Sequence, residues 1–202
     1  NKSIEEPKVK FNKIILLPGS RRSEISLILP AMLTATAIIK RHDPNVNFVL
    51  PAVPHLLPLI QSLVAGSGVT ILDQPDDLIP ALQTSDAMIA TSGTITLQAA
   101  LCGTVGVTCY RTSAFSGFIG RRLVDLDKVI LPNAILGRPL YPFYFQEAAT
   151  GKILAAATLD CLEDANAKSS ARQAAIELKS LLTGGAKSFD ELVISALKNW
   201  LD

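Results

Sequence analysis

Charge of either sign is scarce in this 202-residue sequence: Asp, Glu, Lys and Arg make up 18% of it and nearly cancel, to a formal +1. Such a balance provides no broad basic face for a polyanion. Nucleic acid is therefore not expected as a partner, and any anion site must be a local arrangement of amides and a few arginines. The three cysteines, Cys102, Cys109 and Cys161, stand at no CxxC or Cys/His spacing, which argues against a disulfide framework and a structural zinc. They read as reduced core residues of a cytoplasmic protein. His42 and His55 have no companions at catalytic or metal spacing. Apolar runs end at Pro, Gly or a charge before the roughly 20 residues that span a bilayer, so no transmembrane helix is expected. The opening NKSIEEPKVKFNK lacks a signal-peptide pattern and reads as a linker or a cut end. Neither GxGxxG nor GxxxxGK[ST] occurs, which removes the main support for a dinucleotide site or a P-loop.

Apolar residues are abundant, at 49% of the chain, and the mean hydropathy is positive. Some apolar surface is therefore expected to meet a partner, a second domain or a membrane face. Short apolar runs, KIILL, NFVLP, VTIL, AMIAT, VGVTCY and KVIL, alternate with helical-period segments that begin near Ser23, Pro54, Asp76, Ser92 and Ser113. Strands fed by helices at this spacing predict an α/β fold, a doubly wound, Rossmann-like parallel sheet of about six strands covered on both faces. Pro30 falls inside the first helical pattern and predicts two helical pieces or one bent rod. Residues 1–165 read as the sheet domain with its lead-in. Residues 166–202 read as a helical extension of two amphipathic helices divided at Gly184 and Gly185, packing on the sheet domain or on a further half. The tail helices also offer a surface for a homodimer.

Ligands of open parallel sheets bind beyond the carboxyl ends of the strands. Two post-strand loops here are rich in small polar residues, LPGSRRSEI after the first strand and TSGTITLQ after the fourth. A helix start ordinarily prefers carboxylates, because its unpaired amides carry about half a positive charge. Arginines at that position make sense if a phosphate lies between them and the amides. The plainer reading is an ordinary helix start, N-capped by Ser23 with Glu24 in its first turn. Ser92, Gly93 and Thr94 offer a second set of amides and hydroxyls. Further on, Asn133, Arg138, Gln146 and Glu147 could hold a base or sugar, or be turn residues, with Glu147 capping the next helix.

Taken in order, LLPGSRRSEI, FVLPAV, SGTITLQAALCGTVGVTCYR, RRLV, LPNAILGR and QE resemble the lipid-A-disaccharide synthase family, in its C-terminal half, from about Ile14 to Leu162. The resemblance implies a two-domain GT-B glycosyltransferase whose Rossmann-like half binds UDP, while the other half supplies the acceptor site and the general base. It implies inverting transfer from UDP-2,3-diacylglucosamine to 2,3-diacylglucosamine-1-phosphate, with no metal and no cofactor, in the cytoplasm and at the inner membrane of a Gram-negative bacterium. On this chain it places Ser20, Arg21, Ser92, Gly93 and Thr94 at the diphosphate, and Gln98, Asn133, Gln146 and Glu147 along the nucleotide cleft.

Two positions depart from the family pattern. Gln98 stands where a Glu is usual, and an amide in place of a ribose-binding carboxylate weakens UDP binding by about 1 kcal/mol. Phe143 stands where the family has a Glu three residues before QE, within the aromatic run YPFYF. These departures imply a reshaped sugar pocket or a divergent copy, with a degenerate binding module without catalysis as one alternative. A related GT-B UDP-sugar enzyme is the other, and the LPN, GR and QE segments argue against it. In SAFSGFIGRRLV, the apolar Phe115, Phe118 and Ile119 beside Arg121 and Arg122 suit an anionic membrane surface. They equally suit a plain amphipathic helix with a solvated basic end.

Overall fold

A computed structural model describes residues 12–74, 77–112 and 129–184. The segment carrying Phe115 to Arg122 and the stretch expected to form the second tail helix lie outside the described residues. Apolar runs with β-branched residues form the first five strands: β1 (Lys13–Leu17), β2 (Asn47–Pro51), β3 (Val69–Leu72), β4 (Ala87–Thr91) and β5 (Gly106–Tyr110). A sixth, β6 (Phe143–Phe145), completes a parallel sheet of order β3-β2-β1-β4-β5-β6. Between and after the strands run α1 (Arg22–His42), α2 (Leu57–Val64), α3 (Leu78–Thr84), α4 (Thr94–Leu101), α5 (Leu131–Leu136), α6 (Gly151–Glu163) and α7 (Ala167–Thr183).

Side chains alternate across a strand, and β1 divides its apolar residues accordingly. Ile14 and Leu16 enter one core with Phe48, Leu50 and Ile89, beneath α1, α2 and α6. Ile15 and Leu17 enter the other with Val49, Met88 and Ala90, beneath α3, α4, α5 and α7. Both faces of β1 and β4 are thus dry, which is why KIILL and AMIAT are continuous apolar runs rather than alternating ones. Burial also accounts for the cysteines. Cys109 is fully buried in β5 and its thiol is pushed up to about 12, with the Arg111 charge opposing the rise. Burial raises Cys102 and Cys161 as well.

Two sequence expectations are corrected here, and of the two alternatives for Pro30 the undivided helix is the one found. KVIL is not the sixth strand: Val129 and Ile130 form a bend and Leu131 opens α5, with Pro132 near its start. The sixth strand is instead the aromatic run. Tyr110 of β5 stacks on Phe145 at 6.5 Å, and Phe143 packs on the second core. Pro30 does not divide the first helix, since α1 continues from Arg22 to His42. Its ring faces solvent, where the carbonyl it leaves unpaired can meet water. The N-cap of α1 is Arg21, not Ser23, and no side chain caps this end.

By length and composition alone α1 could cross a membrane. Its apolar residues, however, fall at helical spacing, with Ile25, Ile28, Leu29, Met32, Ala35 and Ile39 buried in the first core against the sheet and α6. Lys40, Arg41 and His42 complete its last turn, where cations favour the helix dipole. This is the pattern of a core helix.

The N-terminal edge of the sheet is tied to α7 by Asp86. Its carboxylate accepts from the backbone N–H groups of Asn12 (2.8 Å) and Lys13 (3.2 Å) and from Lys168 Nζ (2.7 Å). Burial pushes this carboxyl up, but the Lys168 ammonium and the two backbone donors outweigh it and hold the group below its ordinary value of 3.8. A lowered folded-state value means that the contribution to stability is complete above the unfolded value and is lost as the pH falls through the folded one. Asp86→Asn is expected to cost about 1 kcal/mol at pH 7, allowing for solvent screening. Urea midpoints should show that gap closing toward pH 3. A gap of the same size at both pH values contradicts the assignment.

Candidate functional site

Strand order reverses between β1 and β4, so the loops leaving their carboxyl ends diverge to opposite faces of the sheet. A crevice of about 560 Å³ opens there. The β1–α1 loop gives it Pro18, Gly19, Ser20 and Arg21. The β4–α4 loop gives it Ser92, Gly93 and Thr94, and the far walls are Ala52, Val53, Gln74 and Leu78.

The β1–α1 turn depends on Gly19. Its φ of +104° is one that L side chains rarely adopt, and a Cβ there would stand 2.6 Å from Glu24 Oε2 and 3.2 Å from Thr91 Cγ2. Arg21 precedes the first turn of α1, and its Nη1 donates to Glu24 Oε1 at 2.7 Å. The guanidinium side chain is 76% exposed, against 12% for the Glu24 side chain. Across the crevice, Gly93 is the N-cap of α4 and no side chain caps that helix either. Two helix starts without side-chain caps therefore face a common volume. Each has amides with no intrahelical acceptor and a positive dipole end, the combination that attracts anions.

Of the nine residues singled out from the sequence, the structure brings six together: Ser20, Arg21, Ser92, Gly93, Thr94 and Gln98 all line the crevice. The Ser92 hydroxyl donates to the Val129 carbonyl at 3.3 Å, so at this residue the donor aimed at a ligand is not the side chain. Asn133, Gln146 and Glu147 are not among the lining residues. Asn133 is buried and committed: Oδ1 accepts from the Leu140 and Tyr141 N–H groups, and Nδ2 donates to the Tyr141 carbonyl. It closes the loop between α5 and β6. Gln146 is also buried, at φ +51°. Its amide pairs with both the N–H and the C=O of Thr112, at 3.2 Å each, stitching the end of β6 to that of β5. Glu147 is exposed in the short turn Gln146–Ala148. The N-cap of α6 is Thr150, whose hydroxyl accepts from the Ile153 N–H, not Glu147. Arg138 pairs with Glu177 at 2.7 Å and fixes the end of α5 to α7.

Sequence reasoning missed Glu24 and Gln74 as lining residues. Glu24 was hidden by its ordinary position in a first helical turn. Gln74 carried a usable signal, a polar residue two positions beyond the carboxyl end of the edge strand β3. The chemistry available is recognition of a polyanion by amides, hydroxyls and one guanidinium, beside an apolar wall from Pro51 to Pro54 that could accept a flat ring. Among the described residues no group of three or more His, Cys, Asp and Glu could hold a metal ion.

A parallel sheet of this order with a crevice at its switch point defines the class: a doubly wound, Rossmann-like α/β domain. Solved structures share the fold. The glycotransferase of kitacinnamycin superposes with a TM-score of 0.61 over 95% of this chain and 44% of its own, at 16% identity. The catalytic domain of cholesterol-alpha-glucosyltransferase from Helicobacter pylori gives 0.50 over 85% and 98%, also at 16% identity. Sequence narrows the class further. The chain belongs to the lipid-A-disaccharide synthetase family, which it matches over residues 2–196. It is 43% identical over 155 residues to lipid-A-disaccharide synthase of Burkholderia vietnamiensis, a match covering 75% of this chain and 39% of that protein. To the synthase of Nitrosococcus oceani it is 32% identical over 185 residues, covering 91% and 48%. The chain thus spans about half the length of the curated relatives it matches.

Proposed function

We propose that this chain is the UDP-binding half of a lipid-A-disaccharide synthase, which transfers diacylglucosamine from its UDP carrier to 2,3-diacylglucosamine-1-phosphate and releases UDP. The supporting observation is the convergence of Arg21 and the two helix starts without side-chain caps on one crevice at the switch point. Transfer breaks the bond between the anomeric carbon and the β-phosphate oxygen, so negative charge grows on the leaving diphosphate. Fixed amide dipoles and a guanidinium at that point stabilise the charge as it forms, without reorganising. Gln98, one turn into α4, meets the ribose with a neutral amide. The acceptor site and the general base belong to the part of the enzyme outside this chain, and the acylated substrates place the reaction at the cytoplasmic face of the inner membrane.

Calorimetric titration with UDP, UMP and inorganic phosphate tests the nucleotide assignment. UDP is expected to bind at least about tenfold more tightly than UMP, because the second phosphate adds charge-assisted hydrogen bonds. Equal affinities for UDP and UMP, or no heat with UDP at millimolar concentration, contradict the reading.

A further inference from the structure

Glu24 is anomalous in a crevice suited to anions. Its carboxylate lies in the wall, beside the Gly19 turn and the end of β4. It sits so close to the Gly19 backbone that a single added methyl group at Gly19 would overlap it. The Glu24 carboxylate is largely buried, whereas its partner Arg21 is largely solvated and free to turn about its long stem. Any diphosphate entering the crevice must share Arg21 with Glu24 or take it away, and it meets a like charge in the wall as it does so.

We infer that Glu24 is a specificity-determining residue, an internal anion that competes with the ligand diphosphate for Arg21. This rests on the diphosphate reading above and extends it, because it makes the Arg21–Glu24 pair exchangeable. The pair keeps the guanidinium at the crevice between turnovers. The carboxylate limits how tightly the diphosphate is held, which favours release of the leaving nucleotide. The competition also assigns a cost to losing Arg21 alone: the Glu24 charge would then face the diphosphate without its counter-ion.

Titration of the chain with UDP and separately with inorganic pyrophosphate, each on wild type, Glu24→Gln, Arg21→Ala and the double variant, tests this. Glu24→Gln is expected to tighten both ligands about two- to fivefold, the range of a partly exposed charge pair. The double variant should bind more tightly than Arg21→Ala alone. Glu24→Ala serves as a second neutral variant, with thermal melts confirming that each protein is folded. Weakening by Glu24→Gln comparable to that by Arg21→Ala would mean that Glu24 holds the arginine for the ligand, and overturns the competition. So does a double variant no better than Arg21→Ala. Pyrophosphate separates the two readings. If it binds with the expected dependence on Glu24 while UDP does not bind, the nucleotide assignment falls and the competition stands. If pyrophosphate binding ignores Glu24, or neither ligand binds, the competition is overturned.

Discussion

Gly106→Ala lowers the stability of the chain by about 3 kcal/mol or more, combining overpacking with a strained backbone. Gly106 opens β5 opposite Met88 of β4. Its φ is +150°, and a Cβ there would stand 2.2 Å from the Met88 carbonyl oxygen and 2.8 Å from the Met88 nitrogen. Those atoms are main chain in the middle of a fully buried strand, so they cannot rotate aside as the tip of a side chain could. Relief requires β5 to move away, which breaks the hydrogen bond from Met88 N–H to the Val105 carbonyl (2.9 Å) and opens both cores at once. The comparison is Gly137→Ala. Gly137 also has a positive φ, +65°, but nothing stands within 4 Å of an added Cβ, so only the left-handed strain of about 1 kcal/mol applies. Urea midpoints of the two variants measure the difference. Equal shifts would mean that the β4–β5 approach is looser than the geometry gives.

The contrast between these glycines also marks what could be read without coordinates. Five strands were legible because each is a short apolar run between helical segments, where such runs have few alternatives. Of these, β1, β2, β4 and β5 are buried along most of their length, and β3 at the edge is half-buried. β6 was not legible. An edge strand of three residues, Phe143–Phe145, is set by pairing with β5 rather than by its own pattern, and aromatics beside Pro142 look as much like a pocket wall as a strand. KVIL erred in the opposite direction, where a Pro at the second position of a helix outweighed an apolar run. At the site, the small polar loops after β1 and β4 were visible because strand order alone dictates where ligands enter such a sheet. Asn133 and Gln146 were misplaced relative to the crevice for a physical reason. A side-chain amide that closes a loop and one that recognises a ligand have the same donors and acceptors, and only the partners distinguish them. Glu24 was overlooked because its partner in the crevice wall, the Gly19 turn, becomes apparent only once the chain has folded back.

Arg21→Ala is expected to weaken UDP binding by about 10- to 100-fold, the worth of one or two charge-assisted hydrogen bonds. Arg21 is the arginine in the crevice wall, whereas the adjacent Arg22 is exposed and does not line it. Arg22→Ala is therefore the matched control, and its affinity should stay within about twofold, since it removes only a screened, distant charge. Arg21→Lys keeps the charge but loses the planar fork that can engage a phosphate through two parallel hydrogen bonds, so it should recover only part of the loss. Raising the salt should shrink the difference between Arg21→Ala and wild type, because the side chain is largely solvated and its attraction to the ligand is screened. On the proposed transfer reaction, the same variant in a complete enzyme should lower kcat as well as raise KM, because charge would grow on the leaving diphosphate and the guanidinium would interact more strongly with the transition state than with the bound donor. A loss confined to KM would mean that Arg21 binds the carrier without assisting its departure. Equal losses at Arg21 and Arg22 would show a diffuse field rather than a contact, and would take the diphosphate out of this crevice.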